Sequence, residues 1–125
     1  VGKNDKELRI LFLTSYINSH INEENNSKTT DYLNELLDYT KPKYESSIRQ
    51  NAIEYVLEIN PKNKIVLKNL INATTHHKWQ FTKFAREKIR KLILQEFYLN
   101  YFDEILPELN NNEQFQLKRL LDKKN

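Results

Sequence analysis

The feature that most constrains the fold of this chain is its almost complete lack of glycine. Gly2 is the only glycine among 125 residues, and only three prolines are present. Folds built from many short strands need frequent tight turns, and glycine and proline are the residues that form most of them. Hydrophobic residues still make up 38% of the chain, which is enough for a folded core. The sequence therefore predicts an all-α protein and excludes an all-β fold.

Apolar residues recur at three- and four-residue spacings in seven stretches, which is the pattern of amphipathic helices. Because proline cannot continue a helix, we expect helices to end near Pro42 and at Asn60-Pro61. The same Asn60 and Pro61 should start the next helix as its N-cap and first-turn residue. The predicted helices cover residues 3–23, 28–39, 44–59, 61–73, 79–93, 97–109 and 113–121.

The first predicted helix carries more apolar surface than one buried stripe needs. Asn4 or Asp5 is available as its N-cap. Its main stripe is predicted to consist of Leu8, Leu11, Phe12, Tyr16 and Ile17. Three further apolar residues widen that surface, namely Ile10, Leu13 and Ile21. Such a helix is either covered on two sides or has lost a neighbour, and we expect an upstream helix or domain to pack on it.

Two consecutive helix pairs resemble each other along the sequence. A shift of 37 residues places the second and third helices on the fourth and fifth, with Ile48 on Ala85. Two helices per repeat is typical of helical solenoids, and Arg49-x-x-Ala52 resembles the second helix of HEAT repeats. We therefore predict a HEAT-like right-handed superhelix of about seven helices, with residues 1–125 as a single domain. An ordinary helical bundle is the alternative.

The predicted core combines the apolar stripes of the central helices. Its members are Leu33, Leu36, Tyr44, Ile48, Ala52, Val56, Leu70, Trp79, Phe81, Phe84, Ile89 and Ile93. If Phe84 is buried in this core, a Phe84→Ala change should cost about 3–5 kcal/mol of folding free energy.

The residue types present exclude several kinds of site. The chain contains no cysteine, so a thiolate zinc site and a cysteine nucleophile are excluded, and no glycine-rich phosphate loop can form. His76 and His77 are adjacent, but neighbouring helical side chains point about 100 degrees apart and no His-Glu-x-x-His spacing occurs. We predict a polar helix end there, and assign no catalytic residue, cofactor, metal ligand or membrane span to this chain.

The fifth helix provides the strongest binding signal, because cations follow it with aromatic residues between them. Lys83, Arg86 and Arg90 are candidate interdomain contacts on its basic face. A nucleic-acid surface is less favoured, because Glu87 is placed to pair with Lys91 and the phenylalanines fall on the core stripe. In another interpretation, Arg49 and Arg86 form an internal ladder with carboxylates such as Asp38.

Several stretches, together spanning about two thirds of the chain, carry a family resemblance. They are LDYTKPKY at 37–44, RQNA at 49–52, THHKWQF at 75–81, FAR at 84–86 and EQFQL at 113–117. In these residues the chain resembles the C-terminal end of bacterial zinc aminopeptidases of the aminopeptidase N type. That family's His-Glu-x-x-His motif, its downstream Glu and its Gly-x-Met-Glu-Asn loop match no residue here, so no catalytic residue carries over.

The resemblance implies a non-catalytic HEAT-like domain that packs on the catalytic domain of the same polypeptide and gates its cleft. Zinc and the peptide substrate would then be bound by that other domain. The chain begins Val1-Gly2 and contains no methionine, so we expect it to be a C-terminal fragment of a larger protein. Two alternatives remain open: a free-standing HEAT-like scaffold for a protein or peptide, and a nucleic-acid-binding helical repeat.

Overall fold

The computed structural model of the protein describes residues 3–23 and 26–122. These residues form seven α-helices and no β-strand, which confirms the predicted all-α class. The chain divides into two compact units, Val1–Pro61 and Lys62–Asn125. Among the described helices, none combines the length and the apolar character that crossing a membrane requires.

The first unit contains three helices, each of which contacts the other two. They are α1 (Lys3–Ser19), α2 (Ser27–Tyr39) and α3 (Ser46–Ile59). The helix α2 begins at an N-cap, because the side chain of Asn26 accepts a hydrogen bond from the Thr29 amide at 3.2 Å. The fully buried side chains of the first unit include Leu13, Leu36, Ile48, Ala52, Ile53 and Val56.

The helix α1 buries a different face from the predicted one. Ile10, Leu13 and Ile17 are its buried residues, whereas Leu8 and Leu11 are 65% and 61% exposed. Phe12 and Ile21 are exposed as well, and α1 ends before Ile21. Of the predicted main stripe only Ile17 is buried and Tyr16 is half-buried, because two apolar faces share this helix and periodicity does not say which one meets α2 and α3. Asn4 and Asp5 lie inside its first turn and are not its N-cap.

Arg49 supports the connection between α2 and α3 from inside the first unit. It is 1% exposed, and its Nε donates a hydrogen bond to the Thr40 carbonyl at 3.0 Å. Burial lowers the pKa of its guanidinium to about 10. The carboxylate of Asp38 accepts a hydrogen bond from the Tyr44 hydroxyl and pairs with Lys41 at 3.2 Å. Tyr44 lies in this connection, because α3 begins only at Ser46.

The second unit is organised around α4 (Lys64–Ala73), which contacts three other helices. They are α5 (Trp79–Leu92), α6 (Glu96–Ile105) and α7 (Asn111–Asp122), and a 3-10 turn, Leu106–Glu108, follows α6. The helices α5 and α7 also contact each other. The core of this unit includes the fully buried Leu67, Leu70, Ile71, Ala85, Ile89 and Phe102.

The start of α4 differs from the predicted one by a few residues. The helix begins at Lys64, with the Asn63 side chain accepting a hydrogen bond from the Val66 amide at 3.1 Å. Asn60 instead forms the C-cap of α3, where its amide donates to the Val56 carbonyl. The prediction failed because two asparagines three residues apart are both good caps, and Pro61 and Lys62 lie in the turn between them.

The hairpins α2–α3 and α4–α5 keep the predicted shift of 37 residues only at the start of their first helices, where Asn26 and Asn63 are the N-caps. The second helix of each pair begins at Ser46 and at Trp79, and the first is followed by a C-cap threonine, Thr40 or Thr74. These equivalent positions are 33 or 34 residues apart. A shift of 37 residues matched the apolar stripes because the excess of about four residues is close to one helical turn.

Most of the predicted core is confirmed, with one clear error. Eight of the twelve residues are buried: Leu36, Ile48, Ala52, Val56, Leu70, Phe81, Ile89 and Ile93. Leu33, Tyr44 and Phe84 are half-buried. Trp79 is 63% exposed, so its assignment to the core was wrong. It is the first residue of α5, where the helix points it away from the buried positions.

Candidate functional site

The helix α5 separates its apolar and basic side chains onto opposite faces. Phe81, Ala85, Ile89 and Leu92 are buried against the second unit. Trp79, Lys83, Arg86 and Arg90 follow at spacings of four, three and four residues, which places them along one face of the helix. The amide of Lys78 donates to His76 Nδ1 at 3.0 Å at the start of this helix. All three predicted contact residues therefore lie on one surface.

That surface forms one wall of a groove of about 230 Å³ between α5 and α7. Residues of α7 form the opposite wall, and the lining residues are Trp79, Lys83, Arg86, Glu87, Arg90, Gln116, Arg119 and Leu120. The groove thus contains four cationic side chains and one carboxylate. Trp79 and Leu120 add apolar surface beside them, so the groove offers charge and hydrophobic contact together.

The single carboxylate leaves most of the positive charge in the groove uncompensated. Glu87 pairs at 3.9 Å with Lys83, one turn before it on α5, and not with the predicted Lys91, which lies one turn after it. In the part of the chain that the structure describes, Arg86 and Arg90 form no ion pair. Arg86 is half-buried and Arg90 is exposed. Two guanidinium groups are therefore available to an anionic ligand.

Two exposed aromatic rings in this region are each approached by a cation. Lys83 Nζ lies 5.2 Å from the centre of the Trp79 ring, and Arg119 Cζ lies 5.6 Å from the centre of the Phe115 ring. Phe115 is 57% exposed and stands one turn before Arg119 on α7. Cation–π contacts of this kind hold long side chains in place at the surface.

The second wall of the groove is fixed by a capping box. The Glu113 amide donates to Asn110 Oδ1 at 2.8 Å, and the Asn110 amide donates to Glu113 Oε1 at 3.0 Å. The other carboxylate oxygen of Glu113 accepts a hydrogen bond from Asn72 Nδ2 on α4 at 2.7 Å. The start of α7 is thereby tied to the end of α4, which positions Arg119 and Leu120 opposite α5.

Five of the eight groove residues were not predicted as contacts, among them Trp79 and Arg119. Trp79 was assigned to the core by its residue type, although its spacing to Lys83, Arg86 and Arg90 places it on the basic face. Arg119 belongs to another helix, and no local pattern brings it to α5. Only the packing of α5 against α7 assembles these side chains.

The histidines take part in local contacts at the helix ends. The rings of His76 and His77 stack with their centres 4.3 Å apart, at the polar start of α5 that the sequence predicted. In the first unit, His20 stacks on Tyr16 with ring centres 4.0 Å apart. Across the described residues, no group of three or more histidine or carboxylate side chains is placed to hold a metal ion.

A second cluster of titratable groups lies in the first unit and has a structural role. Arg9 makes two hydrogen bonds of 2.8 Å to the carboxylate of Glu35, which also accepts one from the Tyr39 hydroxyl. The hydrogen bonds from Arg9 lower the pKa of Glu35 below its ordinary value. Burial and the bond to Glu35 raise the pKa of Tyr39 to about 12. These bonds join α1 to α2.

Comparisons with known proteins identify no relative of this chain. Scans against protein-family models, curated proteins and solved structures returned no match for the chain.

Proposed function

We propose that this chain is a non-catalytic helical domain that docks on a neighbouring protein domain through the groove between α5 and α7. The observation that supports it is the assembly of Lys83, Arg86 and Arg90, the residues expected to make interdomain contacts, beside the exposed Trp79. Exposed tryptophan and arginine side chains are enriched where proteins bind one another.

The chemistry of the groove is suited to binding. Its polar side chains are guanidinium, ammonium and amide groups, which donate hydrogen bonds and do not abstract protons at neutral pH. The one carboxylate, Glu87, is already engaged by Lys83. In the described residues no nucleophile and base are paired within the groove, and its side chains therefore support docking more directly than catalysis.

More specifically, we propose that this chain is the C-terminal helical domain of a zinc aminopeptidase. The family resemblance is the reason for this proposal. The partner would be the catalytic domain of the same polypeptide, which binds zinc and hydrolyses peptides. The helical domain would pack on that catalytic domain and gate its cleft. The 33- to 34-residue relation between the two helical hairpins supports a HEAT-like repeat arrangement. The exposed Leu8 and Leu11 of α1 provide a second surface for packing.

The first test is to read the open reading frame upstream of Val1. An in-frame His-Glu-x-x-His with a downstream Glu supports the aminopeptidase form of the proposal. A start codon immediately before Val1 overturns it, and the free-standing scaffold for a protein or peptide then becomes the leading function.

The second test measures docking in the complete polypeptide. We expect an Arg86→Gln/Arg90→Gln variant to release this domain faster in limited proteolysis, because it loses the two unpaired cations of the groove. The matched control is Lys91→Gln/Lys118→Gln, which removes the same charge from exposed positions outside the groove. If both variants are cleaved at the same rate, the groove is not part of the docking surface.

A further inference from the structure

We infer that the groove between α5 and α7 binds an extended acidic peptide segment that carries carboxylate side chains at alternating positions. This inference rests on the proposed docking function, and it names the chemistry of the partner. Lys83, Arg86, Arg90 and Arg119 line the groove against one carboxylate, so the ligand that complements it is anionic.

The spacing of the cations selects the form of the ligand. Arg86 and Arg90 are four residues apart on α5, which separates their positions by about 6 Å along the helix axis. In an extended peptide, side chains two residues apart lie on the same face and are separated by about 6.6 Å. A Glu-x-Glu segment lying along α5 therefore places one carboxylate opposite each guanidinium. Each guanidinium can then donate two parallel hydrogen bonds to its carboxylate.

The aromatic rings favour a peptide over single-stranded nucleic acid. Binding of single strands relies on bases stacking on open aromatic faces. Here Lys83 lies over the ring of Trp79, and Arg119 lies over the ring of Phe115. One face of each ring is thus covered by the protein's own cation, and the charged end of Arg119 remains available to carboxylates from the solvent side. The apolar surface of Leu120 and the uncovered part of Trp79 can contact an aliphatic side chain of the peptide.

Trp79 makes the groove directly observable, because it is the only tryptophan of the chain. The probe is a short capped peptide with glutamates at alternating positions and one leucine, titrated into the whole chain at low salt. We expect a change in tryptophan emission together with heat in calorimetry. Binding should weaken as salt screens the charges. An isomeric peptide with its glutamates adjacent presents them to opposite sides, and we expect it to bind more weakly.

Variants of the protein assign this binding to the groove. Arg86→Gln/Arg90→Gln should weaken affinity for the alternating peptide about tenfold, the sum expected for two partly exposed ion pairs. Lys91→Gln/Lys118→Gln should leave it within about twofold, since salt-screened surface charges away from the ligand contribute little. Both variants keep the buried residues of the unit unchanged, so folding is not at issue.

Several outcomes would overturn the inference. They are absence of heat and emission change with the alternating peptide, equal affinity for the adjacent isomer, and an equal loss in both charge variants. Tighter binding of an oligothymidylate of equal charge would assign the groove to nucleic acid. If the peptide binds but the groove variant leaves proteolysis of the complete polypeptide unchanged, the inference stands and the proposed docking function falls. If the peptide does not bind but the groove variant speeds proteolysis of the complete polypeptide, the docking function stands and an acidic peptide is rejected as the partner.

Discussion

The hairpins α2–α3 and α4–α5 are built alike but present opposite charges to solvent. In both, a threonine closes the first helix by donating its hydroxyl to the carbonyl three residues earlier at 2.6 Å, Thr40 to Leu37 and Thr74 to Ile71. Yet the one cation of α3, Arg49, is buried and two carboxylates remain at its surface, whereas α5 carries five cations and one carboxylate.

The difference shows which residues the fold restricts and which it leaves open. At equivalent positions of the second helices, Ala52 and Ala85 are both fully buried, and in a close-packed interior a larger side chain there would have to displace its neighbours. The solvent side has no such restriction. The charge of α5 is therefore a property that the hairpin does not require, and this is why we associate it with a partner.

The largest effect should come from the buried positions that the hairpins share. Phe81→Ala should cost about 3–5 kcal/mol and Ile48→Ala about 2–4 kcal/mol, because each empties a filled site. The half-buried Phe84 is the control, and Phe84→Ala should now cost only about 1–2 kcal/mol. Urea unfolding followed by circular dichroism measures all three. A loss below about 1 kcal/mol for Phe81→Ala would contradict its place in the core.

The next effect distinguishes the two arginines that the alternative interpretation placed in one internal ladder. Arg49→Ala should cost about 2–3 kcal/mol, because it leaves the buried Thr40 carbonyl without this donor and removes packed methylene groups. Arg86→Ala should change stability by less than about 0.5 kcal/mol, since Arg86 faces the groove. Similar losses in both variants would argue for the ladder. Urea unfolding of the two arginine variants measures both losses of stability.

The two closing threonines should have matching effects of intermediate size. Thr40→Val and Thr74→Val keep the shape of the side chain and remove the hydroxyl that donates to the helix end. We expect each to cost about 1 kcal/mol, the usual contribution of such a hydrogen bond. Thermal melting of both variants provides the measurement. A large effect in one hairpin and none in the other would break the equivalence between them.

The smallest effect depends on pH and belongs to the first hairpin and its neighbour α1. Because the folded pKa of Glu35 is lowered, its contribution to stability is present above the ordinary carboxyl pKa and is lost as pH falls through the lowered value. The pair with Arg9 is partly exposed, so we expect a loss of about 1 kcal/mol or less. Glu35→Gln should flatten the acid limb of the stability curve. An unchanged acid limb in that variant would assign it to other carboxylates such as Asp38.

Helix number, helix type and most of the buried stripe were predictable, because they depend on local periodicity. The errors arose where a local pattern allows two solutions. On α1, two apolar faces compete, and contacts with α2 and α3 choose Ile10 and Leu13 over Leu8 and Leu11. At residues 60–63, two asparagines compete as caps, and the turn through Pro61 decides in favour of Asn63.

The candidate site was predictable only in part. The spacing of Lys83, Arg86 and Arg90 already placed them on one helical face, and the structure keeps them together. Arg119 could not be added from the sequence, because it reaches the groove through the packing of α7, which depends on Glu113 and Asn72 across a long stretch of chain. Trp79 was wrongly assigned to the core because the assignment relied on its hydrophobicity and not on its position at the start of the helix.

The bond between Asn72 and Glu113 has a consequence for glycosylation. Asn72-Ala73-Thr74 has the Asn-x-Thr form of an acceptor for an N-linked glycan, which would attach at Nδ2 of the asparagine. In the folded protein this atom donates to Glu113, and the Thr74 hydroxyl is buried and bonded to Ile71. The folded second unit therefore protects this triplet from a glycosylating enzyme. A sugar found on Asn72 would mark molecules modified before α7 had packed against α4.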